Sequence, residues 1–429
     1  MEEWKEYRLG DVAIIIKGGK RLPKGIELIS NPNTHPYIRI SDMYVNKTME
    51  LTSSYRYVDN NTFNKIKNYI VNSGDIILAI VGNTIGLVAI IGKSLNNANL
   101  TENCVKIIAN KEVSQEYIYY YLTSIYGQNK IKKSIVGAAQ PKLPIKNIIS
   151  ITISAPSKEL QERTTNILSS LDDKIELNRR INENLEQQAQ ALFKSWFVDF
   201  EPFKDGKFVD SELGMIPERF NIKYIGDIPH TIESGRRPKG GATDKGVPSI
   251  GAENIKGLGV YDYSKTKYIP KEFALTTNRG KINGYELLIY KDGGKPGYFI
   301  PNYTIFGDGF PFENMFINEH VFKLDLLNKE YNIFAYFYMQ TPFIMNQLNS
   351  IGGKAAIPGI NTKDVESLPI FSYENNKIKE FGNIVLPMIK RILKNCRENS
   401  RLAQLRDTLL LKLMSGELKL SEIETKLDE

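Results

Sequence analysis

Only two cysteines, Cys104 and Cys396, occur in the 429 residues, and they form no CxxC pair. A disulfide framework is therefore excluded, and both thiols read as buried or idle groups of a reducing cytoplasm. Three histidines, His35, His230 and His320, are too few and too scattered for a structural zinc site. No apolar run approaches the roughly 20 residues needed to span a bilayer, so no membrane association is expected. The first residues, Met1 to Arg8, are polar and acidic where a secretory leader is basic and then apolar. A dominant charge of one sign is missing too. The 56 basic and 49 acidic residues leave a net charge of +7, which permits a polyanionic partner without demonstrating one.

What is present is a repeat. The length suggests two domains plus connecting elements, and 41% hydrophobic residues are enough for real cores. Tyr7-Arg8-Leu9-Gly10-Asp11 returns as Lys223-Tyr224-Ile225-Gly226-Asp227. Gly19-Lys20-Arg21-Leu22-Pro23-Lys24-Gly25 returns, one residue shorter, as Gly235-Arg236-Arg237-Pro238-Lys239-Gly240. Pro36 to Met43 is matched by Pro248 to Ile255, and Glu102 to Ile107 by Glu319 to Leu324. These matches keep one order, so the chain reads as a tandem duplication.

Each copy opens with a β-rich part. The apolar runs Ile76–Val81, Leu87–Ile91 and Val105–Ile108 predict buried strands, as do Ile148–Ile153 and Val365–Phe371. Glu116–Ile125 and Tyr331–Met339 predict helices, so each domain is mixed α and β. A long stretch without glycine or proline follows in each copy, at Ser157–Phe197 and Met388–Ser415. Apolar heptads run through both. The first places Leu171, Ile175, Asn178, Asn182, Leu185, Ala189, Leu192 and Trp196 on one seam; the second places Met388, Ile392, Asn395, Asn399, Leu402, Arg406, Leu409 and Leu413 there. Every position matches at an offset of 217, both asparagines included. Two helices with one register are expected to pack antiparallel, bringing the asparagine layers together. A helix of this length spans roughly 60 Å.

The repeated Gly-basic-basic-Pro-Lys-Gly loop is the leading binding candidate. Glycine admits close backbone approach, and adjacent basic side chains suit phosphates or guanine edges. Lys20, Arg21 and Lys24 serve one copy; Arg236, Arg237 and Lys239 serve the other. Arg39, Asn254, Arg279 and Lys281 are weaker candidates. A second repeated loop, Gly137–Lys142 and Gly353–Pro358, adds Gln140, Lys142 and Lys354, although its small residues equally suit a plain tight turn. Enzyme signals do not assemble. Phe306-Gly-Asp-Gly-Phe310 has no accompanying Asp/Asn-Pro-Pro-aromatic motif, Gly293-Gly-Lys295-Pro lacks the spacing of a phosphate-binding loop, and Asp172 and Asp173 occupy different helix faces.

The whole chain resembles the specificity subunit of type I restriction-modification systems. The resemblance rests on the two-copy layout, Leu9-Gly10-Asp11, Pro36 to Asp42, Leu160-Gln-Glu-Arg163 leading to Ile167–Ile175, Ala191–Phe197, Gly214-Met-Ile-Pro217, and Leu405–Leu410 with Leu413–Leu418. The second copy has Ile378-Lys-Glu-Phe381 in place of the Gln-Glu-Arg element. The resemblance implies an α+β chain with two target-recognition domains separated by two long helices packed as an antiparallel coiled coil. The expected divisions are 1–156 and 221–375 for the recognition domains, 157–199 and 376–415 for the spacer helices, 200–220 for a linker and 416–429 for a tail. It implies a cytoplasmic, non-catalytic subunit that reads a bipartite double-stranded DNA target and docks two modification subunits, with restriction subunits joining through them. S-adenosylmethionine, ATP and magnesium would belong to those partners. The alternatives are a stand-alone two-domain DNA-binding regulator and a hydrolase or nuclease with an unrecognised site.

Overall fold

Strand Ile76–Ala79 is apolar at every position because both of its faces are covered. It lies inside a five-stranded sheet ordered Ala13–Gly18, Cys104–Ala109, Ile76–Ala79, Val88–Ile91, Thr48–Met49. Successive side chains of a strand point to opposite faces. Ile76, Leu78, Val88, Ile90, Val105 and Ile107 accordingly join the core formed with helix Gln115–Thr123 and the long helices. Ile77, Ala79, Ala89, Ile91 and Cys104 join a second core, formed with Ile38, Ala98 and Leu100 of a four-stranded sheet.

The computed structural model describes residues 4–43, 47–294, 297–353 and 358–418. Its contacts divide the chain into two compact units, residues 1–174 with 402–429, and residues 175–401. The division passes through both long helices, Lys158–Phe197 and Asn376–Ser415, each of 40 residues. Each unit therefore holds a stretch of both.

The second unit repeats the order of the first four strands of that five-stranded sheet. Its four-stranded sheet is ordered Thr231–Ser234, Val321–Asp325, Leu287–Tyr290, Tyr303–Ile305, all antiparallel. In the first unit Ile38 pairs in parallel with Leu100, and in the second Ile250 pairs in parallel with Ile317. A buried ion pair is repeated as well: Lys106–Asp75 at 3.8 Å and Lys323–Glu286 at 4.0 Å. Phe203 and Phe220, within the expected linker, are buried in the second unit's core, their rings 5.0 Å apart.

Two sequence expectations need correction. Residues Ile148 and Ile149 end a short helix, Ile145–Ile149, before strand Thr152–Ala155. Likewise Val365 lies in helix Thr362–Glu366, before strand Pro369–Phe371. In the second case the Asn361 side chain accepts from the Asp364 N–H and caps the turn. A one-turn helix and a strand that are buried together give one continuous apolar run, which periodicity over so few residues does not divide.

Within the second unit the long helices run antiparallel. Asn395 Nδ2 donates to Asn182 Oδ1 at 2.8 Å, and Asn178 Nδ2 donates to Asn399 Oδ1 at 2.9 Å. Asn182 and Asn399 in turn donate to the carbonyls of Ile392 and Ile175, at 3.4 and 3.2 Å. Each bond has a twin at the offset of 217. Within the first unit the two long helices are joined by an ion pair, Arg406 to Asp172 at 2.7 Å.

The seam is less buried than the heptad suggests. Asn178, Ala189, Ile392, Asn395 and Leu413 are buried, whereas Leu171, Ile175, Leu185, Leu192, Met388, Leu402 and Leu409 are half-buried. A second apolar stripe is buried more deeply in the domain cores: Leu168 in the first unit, and Phe193, Phe197, Phe381, Val385 and Ile389 in the second. The helices thus serve two interfaces at once. Gln161 shows how the first helix is anchored, since its buried amide accepts from the Ser114 N–H at 2.9 Å and donates to the Pro156 carbonyl at 3.0 Å. Ile378, its counterpart at the same offset, is fully buried instead, so an apolar anchor replaces a polar one.

Candidate nucleic-acid interface

Lys20 and Arg21 follow strand Ala13–Gly18 directly, where the chain passes the end of its neighbour. Gly19 makes that passage possible: a Cβ there would lie 2.1 Å from the Thr101 carbonyl oxygen. Gly235 stands in the same relation to Ile317, with 1.8 Å to its carbonyl oxygen. The Lys20 N–H donates to the Leu100 carbonyl at 2.8 Å, and the Tyr37 hydroxyl donates to the Lys20 carbonyl at 2.8 Å. Burial pushes the Tyr37 phenol up to about 12, so it stays a donor at neutral pH.

This fixed backbone sets Arg21 beside Glu102. Its Nε donates to Glu102 Oε1 at 2.6 Å while 81% of the side chain remains exposed. Burial raises the Glu102 carboxyl, but the hydrogen bonds from Arg21, the backbone and Thr101, with the charge of Arg21, together outweigh it and hold the group below the usual carboxylate range. The bond between Arg21 and Glu102 raises the guanidinium above its ordinary value. Arg237 lies 3.5 Å from Glu319, the matching pair of the second unit. Arg21, held through Nε, keeps its terminal fork available for a planar, two-point contact, whereas Arg237 approaches Glu319 through Nη1.

The second repeated loop is bonded to the same place in each unit. The Ile80 N–H donates to the Asn103 carbonyl, the Leu143 N–H to the Ile80 carbonyl and the Gly82 N–H to the Pro141 carbonyl, at 2.9, 2.9 and 3.2 Å. In the second unit Lys291 to His320, Ile360 to Lys291 and Gly293 to Pro358 repeat all three, at 3.2, 2.9 and 3.0 Å. Main-chain hydrogen bonds thereby bring exposed Gln140 and Lys142 into the loop cluster that holds Lys20 and Arg21.

Other candidates lie differently. Lys24, Arg236 and Lys239 are exposed within their loops. Arg39 is committed to Asp42, its Nε donating to Oδ2 at 3.0 Å, and to the Ser54 carbonyl at 3.1 Å. Asn254 is 1% exposed and donates to the Asp262 carbonyl at 3.3 Å, so in this conformation it faces the protein interior rather than a groove. Arg279 is 3.9 Å from Glu233, and Lys281 is exposed, its carbonyl accepting from Lys323. Lys354 lies outside the described residues. Sequence reasoning missed Tyr69, over which Lys17 and Lys20 sit at 4.8 and 5.5 Å, and the orienting role of Glu102 and Glu319. The Glu102/Glu319 match was visible, but nothing in it says that the carboxylates meet arginines more than 80 positions away.

Both cysteines are protonated fixtures: burial pushes the Cys104 and Cys396 thiols up to about 12. No group of three or more His, Cys, Asp or Glu side chains among the described residues is placed to hold a metal ion, and no described helix is long and apolar enough to cross a membrane.

Residues 1–187 match the family described as type I restriction modification DNA specificity domain. The type I restriction enzyme HindI specificity subunit of Haemophilus influenzae is 24% identical over 97% of this chain and 100% of its own length. The MjaIX specificity subunit of Methanocaldococcus jannaschii is 27% identical over 79% of this chain and 76% of its own. The chain is similar to the specificity subunits of type I restriction-modification systems, and residues 1–187 carry the match to their DNA specificity domain. A crystal structure of such a subunit from M. genitalium shares the fold, with a TM-score of 0.59, 17% identity and coverage of 96% of both chains. Specificity subunits recognise DNA sequence and are the non-catalytic members of their systems, with catalysis in partner subunits. No cofactor is implied for this chain.

Proposed function

We propose that the chain reads a bipartite double-stranded DNA target, each unit contacting one half through its Gly-basic-basic loop. The observation that carries this reading is the loop built twice: a glycine passing a strand end, then an arginine on a glutamate, at Gly19, Arg21 and Glu102 and at Gly235, Arg237 and Glu319. An exposed guanidinium aimed by a carboxylate suits guanine O6 and N7 or a phosphate. Lys20, Lys24, Gln140 and Lys142 add contacts in the first unit; Arg236, Lys239 and Lys354 add them in the second.

The paired helices, each about 60 Å long, set the distance between half-sites and dock two modification subunits on faces not used between them. Those subunits bring S-adenosylmethionine for adenine methylation. Restriction subunits bring ATP and magnesium and join through them, in the cytoplasm. The assignment of residues 1–156 and 221–375 as readers, 157–199 and 376–415 as spacers, 200–220 as linker and 416–429 as tail belongs to the same proposal.

The test is methylation-sensitive long-read sequencing of a strain carrying this chain with its partner subunits. The expected result is one motif with two specified halves around a fixed gap. Arg236→Ala with Arg237→Ala then relaxes one half alone. Equal loss at both halves would instead mean that the chain no longer folds. Purification without any methyltransferase partner would speak for a stand-alone regulator.

A further inference from the structure

We infer that position 103 of the first unit and position 320 of the second are equivalent base-reading positions, Asn103 in one and His320 in the other. The inference deepens the proposed reading and rests on it.

The two residues occupy the same turn. In the first unit the Thr101 hydroxyl accepts from the Asn103 N–H at 3.5 Å; in the second the Asn318 side-chain oxygen accepts from the His320 N–H at 2.9 Å. Their carbonyls accept from Ile80 and Lys291, so each turn is held from both sides by bonds that do not use the side chain in question. Each follows directly the carboxylate that orients an arginine, Glu102 for Arg21 and Glu319 for Arg237. The position therefore combines a rigid backbone, a polar side chain and an adjacent aimed guanidinium.

The side chains differ in what they present. An asparagine amide offers a donor and an acceptor side by side, the pattern that matches adenine N6 and N7. His320 is half exposed, and its ring is oriented by Asp292, with Nδ1 2.7 Å from Oδ2 and Nε2 3.6 Å from Glu319. An imidazole aimed in this way cannot reproduce the paired amide pattern. Asp292 and Glu319 are positioning residues here. The two copies share a scaffold and differ at the reading atom, so the two half-sites differ at the equivalent base.

The test exchanges the residues. Asn103→His and His320→Asn are each introduced into the full chain in complex with its partner subunits, and the methylated motif is read genome-wide. Each variant is expected to change the preferred base at one position of one half-site by about tenfold or more, with the other half unchanged. His320→Asn is expected to shift its position towards adenine. Variants that methylate the wild-type motif unchanged overturn the inference while leaving the bipartite reading intact. Loss of all methylation in both variants also overturns it, because that outcome assigns the turn a purely structural role. Absence of any two-part motif in the wild type would instead overturn the reading on which it rests.

Discussion

Asn182 accepts a hydrogen bond from Asn395 at 2.8 Å, and 217 residues separate Asn178 and Asn182 from their counterparts Asn395 and Asn399 in the long helices. The seam therefore has a local twofold symmetry written into one chain. Polar pairs of this kind fix register, because any slip leaves an amide in an apolar layer.

Replacing Asn395 by alanine removes the donor to Asn182 and leaves that half-buried oxygen without this partner. The expected destabilisation is about 1–3 kcal/mol, read as a lowered denaturation midpoint. Asn178→Ala is expected to cost a similar amount through its twin bond to Asn399.

Arg406→Ala is expected to cost more, about 3 kcal/mol, because it leaves the buried Asp172 carboxylate with the Tyr120 hydroxyl, 2.7 Å away, and no cation in the seam. Burial lowers the Arg406 guanidinium, but Asp172 and Asp407 outweigh it and hold it above its ordinary value. At the offset of 217, Asp172 corresponds to Ile389 and Arg406 to Ala189, both fully buried. The double change Asp172→Ile with Arg406→Ala copies that solution and is expected to recover most of the loss. Equal melting temperatures for the single and double variants would refute this.

Gly19→Ala places a methyl group 2.1 Å from the Thr101 carbonyl oxygen, and backbone on both sides cannot yield cheaply. A cost of about 1–3 kcal/mol is expected, with displacement of Lys20 and Arg21. In a methylome, recognition of one half-site weakens and the other half stays as it was. Gly235→Ala produces the mirror result.

Insertion of one matched heptad into both helices between Asn178 and Leu185 and their counterparts lengthens each by about 10 Å. The gap in the methylated motif is expected to grow by about three base pairs while both half-sites keep their sequence. An unchanged gap would remove the ruler from the proposal.

Much of this was legible in the sequence because repetition and heptads are local patterns with long runs. The offset of 217 located both asparagine layers, and the Gly-basic-basic loop stood out by recurring. Other features depend on tertiary neighbours. That Asn254 turns inward follows from its bond to Asp262, and that Arg39 is occupied follows from Asp42 and Ser54. The deeper stripe of Phe193, Phe197 and Phe381 was hidden because an aromatic run at a helix end reads equally as seam or as domain contact. The short helices at Ile145–Ile149 and Thr362–Glu366 were hidden by their brevity.

The loop cluster of each unit is tied together by main-chain atoms: Ile80 to Asn103, Leu143 to Ile80 and Gly82 to Pro141, with the same three ties in the other copy. Bonds of this kind are indifferent to the identity of the side chains they carry. On the proposed reading, substitution at the displayed positions alters what is recognised without touching what holds the fold, and each copy can drift independently. Selection for a new target then needs few changes and little compensation, which suits a lineage whose adversaries keep changing theirs.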